Sequence, residues 1–162
     1  MYDREKAVAY AHKWALQRNP QYFNFDGMGG DCTNFISQCI YAGCGIMNYT
    51  PVIGWYYISP KNRTAAWSGV EFFYHFITTN QGNGPYGTEL PLDRAELGDV
   101  IQLSFDGIKY THALLIVSLE TEPTVSNIMV NAHTYDAASR PLNTYFYQAL
   151  RLIHIEGARE LN

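Results

Sequence analysis

The sequence has 162 residues, which suits one domain with a sizeable core, so we expect a single domain over residues 1–162. A formal net charge of −4, with no cluster of Lys or Arg, argues against binding to nucleic acid or anionic lipid. No apolar run approaches the length of a membrane span, and the N-terminus starts with a charged amphipathic segment in place of a signal peptide. We therefore expect no membrane insertion, and a cytoplasmic location unless an export segment precedes this chain.

The first third of the chain predicts two helices separated by a loop. Asp3 can cap a helix that runs to about Arg18, where Asn19 and Pro20 stop it. Residues 20–30 are rich in aromatic residues and glycine, and they form the predicted loop. Asp31 is a good N-cap residue, and Gly43 stands where a helix often ends. A second helix is therefore predicted over residues 31–43.

The middle of the chain is irregular and then helical again. Residues 43–68 predict a long covering loop with a short strand near residues 55–58. Ser68 and Glu71 have the spacing of a capping box, which predicts a third helix to about Thr79. Residues 80–87 are rich in turn formers, and we expect a loop there.

The last third of the chain has the alternation of extended strands. Asp106-Gly107 is a strong hairpin signal between two of these segments. The predicted strands cover residues 100–105, 109–118, 127–133 and 145–155. Helices followed by antiparallel strands indicate an α+β domain, with the second helix packed on the sheet.

Cys32 falls in the first turn of the second predicted helix. Its helical face also carries Phe35, Ile36, Cys39 and Ile40, so we expect the thiol to lie along the buried side. The N-terminal end of a helix favours an anion, which predicts a lowered thiol pKa and a nucleophilic thiolate. The alternative is a cysteine that only fills core space.

The cysteines give no sign of a structural framework. Cys32, Cys39 and Cys44 form an odd set whose spacing matches neither a C-x-x-C motif nor a structural zinc site. We therefore expect reduced thiols, with a disulfide from Cys39 or Cys44 to an outside partner left open if the chain is exported.

Two histidines stand at the ends of neighbouring predicted strands. If those strands form a simple hairpin with its tip between Glu122 and Pro123, His112 and His133 are opposed on one face. Asn131 then shares that face. A shift of one residue would move His133 to the other face, so this expectation depends on the strand register.

A cysteine, a histidine and a third polar residue are the parts of a thiol nucleophile site. The imidazole takes the thiol proton and later gives it to the leaving group, while the third residue fixes the imidazole tautomer. Cys32 and His112 are the candidates for the first two parts. His133, Asn131 and Asp136 compete for the third, with His133 preferred, and Asp31 is a possible supporting residue.

Several segments resemble the putative amidase domain family, which is grouped with the papain-like and NlpC-type cysteine hydrolases. The similar segments are residues 10–15, 19–20, 31–38, 97–102, 111–113, 132–136 and 140–142. The resemblance implies a papain-like α+β fold, with Cys32 as nucleophile, His112 as base and His133 as third member. The leading hypothesis is therefore a cysteine hydrolase that cleaves an amide bond in a peptide or peptidoglycan-like substrate, without a cofactor. The hairpin at residues 105–110 is shorter and less acidic than the family pattern.

Two other functions are consistent with the same residues. Cys32, His112 and His133 are ligand types for zinc, so a metal site is one alternative. The other is an inactive binding module that uses aromatic side chains as a peptide or glycan platform. The aromatic residues concerned are Tyr22, Phe23, Trp55, Tyr56, Tyr57 and Trp67.

Overall fold

A computed structural model describes residues 1–161 and contains four α-helices in that range. They are α1 (Arg4–Trp14), α2 (Cys32–Cys44), α3 (Ala65–Ser68) and α4 (Val70–Thr79). The Asp3 side chain accepts from the Lys6 amide and caps α1, as the sequence predicts. The helix that begins at Cys32 is confirmed.

The helix ends differ from the predicted ones. Helix α1 ends at Trp14, one turn before Arg18. Helix α2 continues through Gly43 and is closed by Gly45, which has φ of 69°. A Cβ atom on Gly43 would lie 2.7 Å from the Tyr2 ring, so this glycine permits close packing and does not end the helix. The predicted capping box is wrong, because Ser68 closes α3 and α4 begins after Gly69.

Six strands form one antiparallel sheet, and two short strands form another. The short pair is β1 (Tyr57–Ser59) and β2 (Asn62–Arg63). The large sheet contains β3 (Gly84–Leu90), β4 (Val100–Ser104), β5 (His112–Ser118), β6 (Met129–Ala132), β7 (Ala137–Pro141) and β8 (Ala149–Arg159). Its order is β3-β8-β4-β5-β6-β7.

Both edge strands of the large sheet fall in segments where the sequence predicts loops. Strand β3 lies largely in the turn-rich segment, and β7 ends at Pro141. A proline or glycine is compatible with an edge strand, because that strand needs hydrogen bonds on one side only. Local composition therefore does not predict these two strands. Strand β3 forms by pairing with β8, and β7 forms by pairing with β6.

The sheet separates two hydrophobic layers. The helices pack on one face against Val100, Ala113 and Leu115. The opposite face carries Leu114 and Ile116, together with buried residues of the connecting segments. These layers confirm an α+β domain in which α2 packs on an antiparallel sheet. No helix within residues 1–161 is long and apolar enough to cross a membrane.

The predicted register between β5 and β6 is wrong by one residue. Leu115 faces Asn131 and Ile116 faces Val130, and the register shifts again between Ile116 and Ser118. The connection between the strands is therefore not the simple hairpin that the prediction assumed. Extended to the strand ends, this register puts His133 level with Ala113, so His112 and His133 project from opposite faces.

Candidate active site

Cys32 lies where the first turn of α2 meets the start of β5. The residue is 6% exposed, and its Sγ atom is 3.8 Å from the Thr33 hydroxyl. The backbone N–H of Ala113 also favours the ionised thiol. Ala113 directly follows His112, so the thiol lies beside the backbone of the predicted base.

The resting thiol of Cys32 is harder to ionise than the sequence predicts. Burial raises the thiol pKa, and the negative charge of Asp31 raises it further. Hydrogen bonds from Thr33 and Ala113 act in the opposite direction without cancelling the effect of burial. The expected lowering of the pKa by the helix terminus is therefore wrong for this resting structure.

His112 opens β5 and belongs to the face opposite α2. Its ring centroid lies 6.4 Å from the Phe105 ring and 6.1 Å from the Tyr145 ring. Nε2 is buried and has no hydrogen-bond partner among the described residues. Burial, aided by the charge of Arg140, lowers the imidazole pKa to about 4. His112 is therefore neutral near pH 7.

Cys32 and His112 are close in the fold but not hydrogen-bonded. No hydrogen bond joins Sγ to the imidazole in the described range. The alternation of β5 explains this, because Ala113 faces the helix layer while His112 faces the other one. Since His112 is the first residue of its strand, its side chain stands at the end of the sheet.

His133 is held by partners other than His112. Its Nδ1 lies 2.6 Å from Oδ2 of Asp31, and its Nε2 lies 2.6 Å from the carbonyl oxygen of Trp14. The ring also stacks on Phe35, with centroids 4.0 Å apart. Both ring nitrogens are thus engaged, and His133 is 1% exposed. These contacts connect three segments of the helix layer.

The other two candidates for the residue that orients the His112 imidazole also make their hydrogen bonds to other groups. Asn131 donates to the carbonyl oxygen of Ala11 and accepts from the backbone N–H of Ser139. Asp136 accepts two hydrogen bonds of 2.9 Å from the guanidinium of Arg18. The structure therefore brings neither side chain to His112.

The model of the putative amidase domain matches residues 1–155, a range that holds every residue of this site. The chain belongs to that family. It is 32% identical over 143 residues to the uncharacterized protein YhbB of Bacillus subtilis (strain 168). That match covers 86% of this chain and 43% of YhbB, so the chain spans less than half the length of its relative. No solved structure matches the chain.

Asp31, the residue before the nucleophile candidate in this putative amidase domain, organises the loop rather than the helix start. Its Oδ1 accepts from the Phe25 amide and from Asn34, and its Oδ2 faces His133. Its carboxylate makes no capping bond to the first turn within residues 1–161. Asp31 therefore supports Cys32 indirectly, by fixing the backbone on both sides of it.

Arg18 also stabilises the loop that precedes Cys32, and the sequence did not predict this role. It pairs with Asp26 and Asp136, and its Nε lies 3.4 Å from Asp31. Thr134 accepts from the backbone N–H of Asp31 and donates to Asp26. Because the contacts made by Asp136 and Thr134 span more than 100 residues, no local pattern points to them.

Thr134 also carries an unusual backbone. Thr134 and Tyr135 have φ values of 55° and 59°, in the left-handed region that a β-branched or aromatic residue rarely adopts. They form the turn between β6 and β7. The contacts of Thr134 with Asp31 and Asp26 hold this turn against the loop that precedes Cys32.

The structure gives the zinc alternative no support. Within residues 1–161, no group of three His, Cys, Asp or Glu side chains is placed to hold a metal ion. His133 is saturated by Asp31 and Trp14, while His112 projects from the opposite face of the sheet. Cys32, His112 and His133 therefore do not form a shared ligand set.

The aromatic platform of the binding-module alternative is largely core. Trp55 and Trp67 are fully buried, and their rings pack 4.6 Å apart. Their indole nitrogens donate to Ser37 and Asn34 of α2. Phe23 is 38% exposed and lies at the surface. Most of these aromatic residues stabilise the helix layer instead of forming an open binding face.

Proposed function

We propose that this domain is a cysteine-dependent hydrolase of amide bonds, with Cys32 as nucleophile and His112 as general base. Membership of the putative amidase domain family supports amide hydrolysis in general terms. One observation carries the specific assignment. A buried thiol at a helix start lies against Ala113, next to a histidine whose buried Nε2 has no partner within residues 1–161.

The reaction would begin from a neutral pair. His112 accepts the thiol proton, and the sulfur of Cys32 attacks the amide carbonyl carbon while the carbonyl electron pair moves to oxygen. When this tetrahedral intermediate collapses, the C–N bond breaks and the imidazolium protonates the leaving amine. Water then attacks the thioester, with His112 again as base, and this step releases a carboxylic acid and the free thiol.

Proton transfer requires a small rotation of the His112 ring that brings Nδ1 to the Cys32 thiol, while Nε2 stays on the opposite side of the sheet. The residue stands at the first position of β5, where a side chain can rotate past the end of the sheet with little change in backbone. Catalytic hydrogen bonds are often long before substrate binds and shorten in the complex. The resting geometry therefore supports a site that forms its thiol–imidazole contact on binding substrate.

The start of α2 offers a place for the developing oxyanion. Asp31 directs its carboxylate toward Phe25, Asn34 and His133, and thereby away from the backbone N–H groups of the first turn. Those N–H groups and the positive end of the helix dipole stabilise negative charge on the substrate oxygen. Loss of one such donor typically costs about 100-fold to 1,000-fold in kcat.

A crevice near the loop that precedes α2 supports an extended peptide-type substrate, although neither Cys32 nor His112 lines it. It has a volume of about 470 Å³, and Tyr22, Phe23 and Tyr57 are among its lining residues. The backbone of Phe23 accepts a hydrogen bond from Asn34, so this crevice adjoins the first turn of α2. We propose a peptide or a peptidoglycan stem as the substrate class.

The test is hydrolysis of a panel of unmodified peptides and purified peptidoglycan stem peptides, with release of free amine as the signal. We expect Cys32→Ala and His112→Ala to abolish turnover of any substrate that wild type cleaves. Cys44→Ala and His75→Ala are matched controls on α2 and α4, and they should retain it. Turnover that survives Cys32→Ala would refute the assignment. Binding without cleavage by wild type would favour the module alternative.

A further inference from the structure

Two neighbouring rings on one side of the sheet each carry a buried polar atom that has no partner within residues 1–161. The two atoms are Nε2 of His112 and the hydroxyl oxygen of Tyr145. The third such atom, Nε of Arg18, lies 3.4 Å from Asp31 and therefore has an ionic partner. An unpaired buried polar group destabilises a fold and is rare, so two neighbouring cases call for an explanation.

The rings that carry these atoms are neighbours. The imidazole and phenol centroids are 6.1 Å apart, with their planes inclined by 47°. His112 is 5% exposed and Tyr145 is 8% exposed. A direct hydrogen bond after a small ring rotation, or one bridging water, would satisfy both groups at this separation.

The three residues that the sequence predicts as possible partners of the His112 imidazole all make hydrogen bonds to other groups. His133 is bound to Asp31 and Trp14, and Asp136 is bound to Arg18. Asn131 bonds to backbone groups of the helix layer and of β7. None of these side chains is available to hold Nε2 of His112.

Arg140 lies near the phenol hydroxyl and its charge favours the ionised form, but within residues 1–161 it makes no well-aligned hydrogen bond to that oxygen. Its guanidinium carbon lies 3.7 Å from the Tyr145 ring centroid, so the group stacks on the ring face. Its Nε and Nη2 donate to Thr144. Arg140 therefore fixes the Tyr145 ring, while the hydroxyl remains the polar group of that ring next to His112.

We propose that Tyr145 is the positioning residue of His112, and that its hydroxyl accepts a hydrogen bond from Nε2–H, directly or through one water. This proposal rests on the proposed function, in which His112 is the base. A proton held on Nε2 leaves the Nδ1 lone pair free to receive the proton of Cys32. The same bond stabilises the imidazolium once that proton has moved. Tyr145 touches no reacting atom, so it acts through His112.

The first test needs no substrate and uses iodoacetamide as the probe of Cys32. The rate of Cys32 alkylation at pH 8 is measured by mass spectrometry in Tyr145→Phe and in the control Tyr147→Phe. Tyr147 is half-buried and packs on the same core, so both variants remove one hydroxyl from this layer. We expect Tyr145→Phe to slow alkylation by about twofold to tenfold, the effect of one neutral hydrogen bond, and Tyr147→Phe to leave it unchanged.

A second measurement reports on His112 itself. In protein labelled with ¹⁵N at histidine, the Nε2–H signal of wild type should resist exchange with water and show a nuclear Overhauser effect to the Tyr145 ring. Tyr145→Phe should lose that protection, which a purely packing role of the ring would not cause. The wild-type signal tests the proposal even if Tyr145→Phe does not fold.

His112→Gln separates failure of this proposal from failure of the proposed function. If His112→Gln leaves alkylation of Cys32 unchanged, the thiol–imidazole pair itself is refuted. If His112→Gln slows alkylation but Tyr145→Phe matches wild type and keeps a protected Nε2–H, only the role of Tyr145 is overturned. Equal slowing by Tyr145→Phe and Tyr147→Phe would also overturn it.

Discussion

Acidification should destabilise the domain through His112. The imidazole is 5% exposed, and burial lowers its pKa from 6.5 to about 4. Between about pH 6.5 and 4, His112 is therefore protonated in the unfolded chain but neutral in the folded protein. The free energy of unfolding falls as pH drops through this range. Between pH 7.5 and 4.5 this single group accounts for a loss of about 2–3 kcal/mol in unfolding free energy.

The assay is urea unfolding followed by tryptophan fluorescence, since Trp55 and Trp67 are fully buried. Other groups also titrate in this range, so the quantity of interest is a difference between proteins. His112→Gln should lose about 2–3 kcal/mol less than wild type over the same pH interval. His75→Gln, at an exposed position on α4, should behave like wild type.

The direction of the effect also tests the resting protonation state. If the resting site held a thiolate and an imidazolium, the pKa of His112 would be raised and its contribution would be lost as pH rises. A pH dependence that is the same in His112→Gln and wild type would refute the reasoning, because it would mean that the buried imidazole titrates normally.

Three further predictions concern other parts of the domain. His133→Ala should lower the unfolding free energy by about 3–5 kcal/mol in urea, since it removes the 2.6 Å partner of the buried Asp31 carboxylate and the ring that stacks on Phe35, whereas the more exposed Asp136→Asn should cost less than about 1 kcal/mol. The pH profile of Cys32 alkylation should have its midpoint above the ordinary thiol value of about 8.5, because burial raises the thiol pKa, and a midpoint below that value would contradict the burial argument. Gly43→Ala should cost about 1–3 kcal/mol in thermal unfolding, because the new methyl meets the Tyr2 ring and the Asp3 carbonyl oxygen, and an unchanged melting temperature would show that both shift to make room.

The helix and strand periods are local properties, and the sequence predicts them well. Helix α2 begins at Cys32, and β4 and β5 flank the Asp106-Gly107 turn, much as their hydrophobic patterns indicate. Edge strands are harder to predict, because their stability comes from a neighbouring strand. Strand β3 is rich in glycine and proline, and it becomes a strand by pairing with β8.

The candidate nucleophile and base are also visible in the sequence, because each stands at a recognisable boundary. Cys32 follows a glycine-rich loop at a helix start, and His112 precedes an apolar strand. The side chains around them are not predictable in this way. Tyr145 lies 33 positions after His112 in the chain. The two rings meet only because both pack in the hydrophobic layer on the sheet face opposite the helices.

The sequence alone determined an α+β domain of one layer of helices on an antiparallel sheet, with a cysteine at the start of the central helix. The tertiary structure decided the partners of the two histidines. One residue of register between β5 and β6 puts His133 with Asp31 in the helix layer and His112 with Tyr145 on the other face. Because successive side chains of a strand point to opposite faces, a shift that hardly changes the fold changes every neighbour of a catalytic candidate.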